Sequence, residues 1–223
     1  MEWTILETAD EAAKLACQRI VKASQLAIAE RGAFHIVLTG GKTPIKTYKL
    51  LAKSGCQWSH WHVWFGDERC LPRNDPERNS VMVEQTLTTK VAIPPSQVHA
   101  IPGELGAGPA AKKYAESLNG IPPFDLVLLG MGEDGHVASL FPGHAYRPGE
   151  SVLAVFDSPK LPAERVSLSA EMLASCRQLL FIITGSAKAE ALTQWRKGIQ
   201  LPVSTVRGQG LVEVIADRSA FIP

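Results

Sequence analysis

Two strand-length segments of the sequence, FDLVLL at 124–129 and LLFIIT at 179–184, are apolar at nearly every position. A strand with one face in water alternates apolar and polar residues, whereas a nearly continuous apolar run indicates a strand buried on both faces. Between such runs lie helix-length segments such as 11–31, where alanine and isoleucine recur at spacings of three and four. The sequence therefore predicts an α/β protein with a doubly wound, mostly parallel sheet and helices on both faces, a Rossmann-like arrangement.

The rest of the chain alternates in the same way, without an internal repeat, a low-complexity tract or a clear linker. Further strands are predicted at 34–39, 61–65, 98–101, 151–156, 165–168 and 212–216. Further helices are predicted at 44–53, 79–90, 106–118 and 186–197. We therefore expect a single domain over residues 1–223, in which the Pro- and Gly-rich stretch 142–163 is the best candidate for an inserted lid or minor subdomain.

Composition argues against several classes of partner. The 223 residues carry a net charge of +1, which does not indicate nucleic acid or an anionic membrane. The apolar runs are far shorter than the ~20 residues of a membrane-spanning helix, and the first residues lack the pattern of a secretory signal. Four cysteines without a CxxC pair are typical of a reduced protein. We expect a cytoplasmic monomer or small homo-oligomer that binds neither nucleic acid nor a membrane.

Polar residues follow four of the predicted strands, at GGKTP (40–44), GDER (66–69), GMGEDGH (130–136) and TGSAK (184–188). Ligands of doubly wound sheets bind at the carboxyl ends of the strands. The convergence of four polar strand ends is therefore the strongest indication of a ligand site.

Two of these segments suit an anion. Gly40 and Gly41 allow a tight turn, Thr43 is a suitable N-cap and Pro44 fits the first helical position. A helix N-terminus favours a nearby negative charge by ~0.3–1 kcal/mol. Lys188 falls in the first turn of the helix after TGSAK, where an anionic ligand would offset its misplaced charge. An ordinary capped turn explains GGKTP equally well, and a solvated lysine explains Lys188.

The GDER segment offers Asp67 and Arg69 beside this anion site. Arginine makes bidentate contacts with phosphate or carboxylate, which suits a charged ligand. A surface ion-pair cluster is the alternative. No group of His, Cys and Asp residues has the spacing of metal ligands, so we expect no metal.

The segment GMGEDGH places His136 on a glycine-rich loop. Histidine titrates near neutral pH and serves as a general acid or base, and Asp134 is close enough in sequence to orient it. Glycines at 130, 132 and 135 would let the loop pass close to a substrate, with backbone amides near a developing oxyanion. The segment therefore indicates a catalytic histidine, although a lone histidine in a loop is often an ordinary surface group.

At these residues the sequence resembles the 6-phosphogluconolactonases, in the superfamily that includes glucosamine-6-phosphate deaminase and ribose-5-phosphate isomerase. The family pattern is GGxTP, DER, LGMGxDGHxASLFPG and GxxK, and it is matched in that order at 40–44, 67–69, 129–143 and 185–188. The segment PAERVSLSAEML is similar to the family's PxxRISLT and nominates Arg165.

The resemblance implies hydrolysis of 6-phospho-D-glucono-1,5-lactone to 6-phosphogluconate without a cofactor or metal. It implies His136 as the general base that activates water, with Asp67 assisting at the site and Asp134 as the other candidate partner of the histidine. It also implies a set of residues that hold the phosphate and sugar: Gly40, Gly41, Lys42, Thr43, Arg69, Arg165 and Lys188.

The sequence departs from the family pattern at two places. Lys42 stands where the family often has a serine, which exchanges a hydroxyl contact for a charge. The loop 71–80 keeps Asn79 and Ser80 but lacks the histidine that often precedes them. Neither departure touches the block around His136.

Two other functions remain as alternatives. A deaminase or isomerase of the same superfamily should carry an acidic Asn-Glu-Pro stretch after the histidine, where this chain has Leu140 and Phe141. A non-catalytic sugar-phosphate sensor should carry an added helix-turn-helix, and the helix at 11–31 leaves no room for one before the sheet. Both fit the sequence less well than the lactonase.

Overall fold

The computed structural model describes residues 1–221, and its centre is a seven-stranded parallel sheet. The strands are β1 (Glu2–Leu6), β2 (Phe34–Leu38), β3 (Trp61–Phe65), β4 (Asp67–Arg69), β5 (Val98–His99), β6 (Phe124–Leu129), β7 (Val152–Val155), β8 (Arg165–Leu168), β9 (Cys176–Ile183) and β10 (Leu211–Asp217). The helices are α1 (Ala9–Arg31), α2 (Lys42–Leu51), α3 (Asn79–Val83), α4 (Ala107–Ser117), α5 (Ala170–Ala174), α6 (Ala189–Arg196) and α7 (Pro202–Thr205). The main sheet has the order β1-β10-β9-β6-β2-β3-β5, so the predicted fold class is confirmed.

Helix α1 shows how local sequence builds these layers. Thr8 accepts a hydrogen bond from the backbone of Glu11, whose side chain accepts one in return, so the helix begins with a capping box. It ends at Gly32, whose left-handed φ of 77° costs glycine little. The buried face consists mostly of small residues such as Ala12, Ala16 and Ala27, which let the helix pack closely on the sheet.

Strand β6 lies in the middle of the sheet, and all its residues are buried. Its one charged residue, Asp125, accepts a hydrogen bond from the backbone of His35 at 2.8 Å and pairs with Arg31 at 3.0 Å. A buried carboxylate with these partners is compatible with an otherwise apolar strand. The neighbours of β6 are β2 and β9, so three of the polar strand ends lie side by side.

A second, three-stranded sheet was not predicted. Strands β7 and β8 were expected from the sequence, but instead of joining the main sheet β8 pairs antiparallel with β7 on one side and with β4 on the other. In this sheet Asp67 lies opposite Ser167, and Arg69 lies opposite Arg165. Residues 67–69 of GDER therefore form a strand, and its pairing with β8 brings together residues about a hundred positions apart in sequence.

Other differences are at element boundaries. Three elements were not predicted from the sequence: β1, a half-exposed edge strand, and the short helices α5 and α7. The predicted helix at 79–90 is α3 followed by a π-helical turn, Glu84–Thr88. Within residues 1–221, no helix is long and apolar enough to cross a membrane.

Candidate active site

A cavity of about 570 Å³ opens at the carboxyl edge of β2, β6 and β9, beside β4 of the small sheet. Asp134 does not line it but contacts His136, which does. The other residues selected from the sequence all line the cavity: Gly40, Gly41, Lys42, Thr43, Asp67, Arg69, His136, Arg165 and Lys188.

The histidine of the cavity is paired with a carboxylate. Oδ1 of Asp134 lies 2.5 Å from Nδ1 of His136 and also accepts the backbone N–H of His136 at 3.2 Å. In a neutral ring that donates from Nδ1, Nε2 carries the lone pair. The ring also packs against Phe141, with 4.8 Å between the ring centroids. The histidine is thus fixed in one tautomer and one orientation.

Burial sets the charge state of this pair. Burial lowers the pKa of His136 below its usual value, and the charge and hydrogen bond of Asp134 offset part of that effect. Burial opposes ionisation of Asp134, but the interaction with His136 outweighs it and lowers the pKa of the carboxyl. The result is an ionised carboxylate beside an imidazole that is neutral at neutral pH, which is the state a general base requires.

The backbone around the pair accommodates it closely. Gly132 donates its N–H to the carbonyl of His136 at 2.8 Å, which closes the loop. A Cβ at Gly132 would lie 2.0 Å from Nδ1 of His136 and 2.5 Å from Oδ1 of Asp134. Only glycine fits at this position.

Asp67 is a second carboxylate of the cavity, and its hydrogen bonds fix it. Its Oδ1 accepts from the side chain of Asn79 at 2.9 Å, and its Oδ2 accepts from Ser139 Oγ at 2.7 Å. Ala138 has a left-handed φ of 49°, uncommon for a residue with a side chain, directly before Ser139. Gly40 is needed beside this group, because a Cβ there would lie 1.8 Å from Oδ1 of Asn79.

The roles of Asn79 and Ser139 were not identified from the sequence. Asn79 stood out only as a residue kept in the loop before α3, and Ser139 lies inside the block around His136 without a chemical signal of its own. Both act on the site through Asp67, and such contacts depend on tertiary structure.

The N-terminus of α2 differs from its prediction. Thr43 and Pro44 were expected at the N-cap and first helical positions, but the helix begins at Lys42 with Gly41 as N-cap. Gly41 has a left-handed φ of 99°, which allows the chain to turn earlier. The hydroxyl of Thr43 is instead 3.0 Å from that of Thr184, so it joins the strand ends of β2 and β9.

Lys188 also lies one step away from its predicted place. A 3₁₀ turn, Ser186–Lys188, precedes α6, so Lys188 is the N-cap of that helix and not part of its first turn. Its Nζ is 3.9 Å from Oε1 of Glu133, and burial lowers the pKa of the amine. The lysine still lines the cavity, close to the Thr43–Thr184 contact.

Cationic side chains dominate the wall of the cavity: Lys42, Arg69, Lys160, Arg165 and Lys188. Arg69 donates to the carbonyl of Glu77, and its buried Nε has no hydrogen-bond partner within residues 1–221. Lys160 was not selected from the sequence, because a lysine in a Pro-containing loop resembles a solvated surface residue. This wall suits an anionic ligand. In the part of the chain that the structure describes, no group of three or more His, Cys, Asp or Glu side chains could hold a metal ion.

Comparison with known proteins gives a consistent picture. A family model described as glucosamine-6-phosphate isomerases/6-phosphogluconolactonase matches residues 7–215. The 6-phosphogluconolactonase of Haemophilus influenzae is 32% identical over 99% of this chain and 98% of its own length. A chloroplastic 6-phosphogluconolactonase of Arabidopsis thaliana is 39% identical over 73% of this chain, a match that spans just over half (56%) of the plant protein. The crystal structure of 6-phosphogluconolactonase from Thermotoga maritima superposes with a TM-score of 0.91 at 28% identity, covering 97% of this chain and 99% of that one.

Proposed function

Because this chain belongs to the glucosamine-6-phosphate isomerase/6-phosphogluconolactonase family, we propose that it hydrolyses 6-phospho-D-glucono-1,5-lactone to 6-phospho-D-gluconate. The observation that carries the proposal is the hydrogen-bonded Asp134–His136 pair at the wall of a cation-lined cavity. A general base next to an anion site suits a phosphorylated ester. Relatives that bear the name 6-phosphogluconolactonase, among them one matched over almost its whole length, support the choice of a lactone.

In the proposed reaction His136 acts first. Its Nε2 takes a proton from a water molecule as the oxygen of that water attacks the C1 carbonyl of the lactone. The carbonyl oxygen becomes an oxyanion, which amides of the 130–136 loop or a neighbouring cation stabilise. The tetrahedral intermediate then collapses with cleavage of the ring C–O bond, and the imidazolium returns the proton to the leaving ring oxygen.

The two carboxylates have separate roles in this scheme. Asp134 contacts the ring directly, so it holds the tautomer and stabilises the imidazolium while it exists. Asp67 makes no hydrogen bond with the ring, but its negative charge offsets a small part of the lowering of the His136 pKa by burial. Each oxygen of Asp67 accepts one hydrogen bond already, which leaves capacity to accept another from a hydroxyl of the sugar.

Binding of the phosphate is assigned to the strand ends of β2 and β9. The N-terminus of α2 offers backbone amides at Gly41 and Lys42, and Lys188 and Arg69 add positive charge. The hydroxyl of Thr43, in α2 after β2, is hydrogen-bonded to the hydroxyl of Thr184, which follows β9. Lys42 supplies a charge where relatives often have a hydroxyl.

The proposal includes a place in the oxidative pentose phosphate pathway and a cytoplasmic location. All four cysteines are free, which suits a reducing compartment. The single domain and the state of monomer or small homo-oligomer stay predictions.

A coupled assay tests the activity. Glucose 6-phosphate and its dehydrogenase generate the lactone in place, and ring opening is followed with spontaneous hydrolysis subtracted. We expect the protein to accelerate ring opening well above background. No acceleration would contradict the proposal, and release of ammonia from glucosamine 6-phosphate would then identify a deaminase.

A further inference from the structure

Lys160 lies on the loop between β7 and β8, at the wall of the cavity. Its side chain makes no hydrogen bond or ion pair within residues 1–221. By contrast, Lys188 has Glu133 at 3.9 Å. Lys160 thus brings a positive charge to the cavity that no carboxylate there neutralises by direct contact.

The backbone of Lys160 is held from two sides. Nη2 of Arg165 donates to the carbonyls of Lys160 and Leu161, each at 3.0 Å, and Nε donates to the carbonyl of Pro162 at 3.2 Å. Ser158 Oγ donates to the carbonyl of Lys160 at 2.7 Å and accepts its N–H at 3.2 Å. A loop tip with this many side-chain contacts is fixed in position, although Lys160 itself is exposed.

The guanidinium of Arg165 therefore makes most of its hydrogen bonds within the protein. The residue lies on β8 and is 5% exposed, and three of its N–H groups donate to the carbonyls of residues 160–162. A guanidinium has five such groups, so most of its hydrogen-bonding capacity serves the loop. Arg165 lines the cavity as expected, and its hydrogen bonds to the loop point to a positioning role beside the expected phosphate contact.

Lys160 also lies close to the other charged groups of the cavity. Burial is the main cause of the lowered pKa of both Lys188 and His136, and the charge of Lys160 lowers each of them further. Two ammonium groups at one cavity repel each other unless an anion lies between them. Both lysines line the same cavity, so a dianion bound between them would offset this repulsion.

We propose that Lys160 binds the phosphate of the substrate together with Lys188, and that Arg165 is a positioning residue that acts through the 158–162 loop. The identity of the sugar rests on the proposed function, whereas the class of ligand, a phosphate monoester, rests on the charges of the cavity. Lys160 would then determine the preference for phosphorylated over unphosphorylated ligands.

Steady-state kinetics test the contact of Lys160. Lys160→Met should raise KM for the phosphorylated lactone by about 10- to 100-fold, as expected for loss of one charge-assisted hydrogen bond, and change kcat little. Lys197→Met, which removes an exposed lysine outside the cavity, is the matched control and should behave like wild type. A fall in kcat at unchanged KM would place Lys160 at the reacting carbonyl and overturn the assignment.

Ligand binding separates this inference from the proposed function. Calorimetry would measure the Kd of 6-phosphogluconate and the Kd of gluconate, each for wild type and for Lys160→Met. We expect the variant to lose affinity for the phosphorylated ligand alone. If wild type binds 6-phosphogluconate without opening the lactone, and Lys160→Met loses that affinity, the proposed function is wrong and this inference stands. If Lys160→Met binds as wild type does, this inference is wrong whatever the activity.

A double-mutant cycle tests the role of Arg165. Arg165→Lys keeps the charge but lacks the planar fork whose Nε and Nη2 hold the three carbonyls, so its effect on KM should overlap with that of Lys160→Met instead of multiplying with it. Full multiplication would mean that Arg165 contacts the phosphate itself. Ser158→Ala loosens the same loop without a change of charge, and it tests the loop independently should Arg165→Lys fail to fold.

Discussion

Oδ1 of Asp134 lies 2.5 Å from Nδ1 of His136, two positions further along the same loop. Such proximity requires a turn between them, which Gly135 provides with a left-handed φ of 79°. The proposed catalytic pair is therefore local in sequence, and it lies at the end of one central strand. Four predictions follow from this pair, its surroundings and the histidines of the main sheet.

Removal of the imidazole should abolish most of the enzymatic rate. His136→Ala is expected to lower kcat by ~10²–10⁴-fold, because the general base is lost. The coupled lactone assay measures this, with spontaneous hydrolysis subtracted. His60→Gln is the control, since His60 lies outside the cavity and contacts the carbonyl of Gly32. A His136→Ala protein that is folded and fully active would rule out the histidine as base.

Asp134→Asn should change the pH dependence of the reaction. With the neutral ring as the proposed base, kcat/KM should rise with pH through the pKa of His136, which burial lowers below its usual value. Without the carboxylate this pKa falls further, and the rising limb moves to lower pH. At pH 7.5 the kcat/KM of Asp134→Asn should be lower than that of wild type, because the imidazolium loses its carboxylate, but the decrease should be smaller than in His136→Ala.

A pH profile of kcat/KM for both proteins checks the Asp134 prediction. Asp157→Asn, which removes an exposed carboxylate outside the cavity, is the control for net charge. A shift of the limb to higher pH would show that Asp134 does not stabilise the protonated ring.

Gly132→Ala should disrupt the pair without touching either partner. The added Cβ would lie 2.0 Å from Nδ1 of His136, so the ring or the carboxylate must move. We expect activity close to that of His136→Ala, with thermal unfolding showing a folded protein. Gly108→Ala adds a methyl group in open space on α4 and should leave activity unchanged. Wild-type activity in Gly132→Ala would mean that the pair tolerates displacement.

Three histidines on the main sheet should make stability depend on pH. His35 and His62 stack with 4.5 Å between ring centroids, Nδ1 of His62 lies 3.3 Å from Nε2 of His99, and Trp64 stacks on His99. Burial lowers the pKa of each histidine, that of His99 to about 4. Because the unfolded chain binds protons more readily, stability is complete above pH 6.5 and is lost as pH falls towards 4.

Urea unfolding at pH 7.5 and pH 5 measures this effect. His99 should contribute a loss of ~1 kcal/mol at pH 5, after allowance for screening at a half-buried site. His99→Gln should reduce the difference between the two pH values by that amount. An unchanged difference in the variant would assign the effect to other groups.

The sequence predicted best what depends on local patterns. The strands at 61–65, 124–129 and 165–168 have the predicted bounds, and the polar strand ends meet at one edge as parallel topology requires. The pairing of β4 with β8 could not be predicted, because strands so far apart in sequence show no local pattern that identifies them as partners. Lys160 was missed for a related reason, since only its fixed loop distinguishes it from a solvated lysine.

The small antiparallel sheet has a consequence for how this scaffold can evolve. It carries the 158–162 loop, whereas the Asp134–His136 pair is anchored on β6 of the main sheet. The proposed Lys160 contact therefore stands on a different sheet from the proposed general base, whereas Lys188 and the N-terminus of α2 lie at the ends of main-sheet strands. Changes in the length or composition of the β7–β8 connection can alter which ligands are accepted while the proton-transfer machinery stays intact, so new specificities are accessible by variation of one loop.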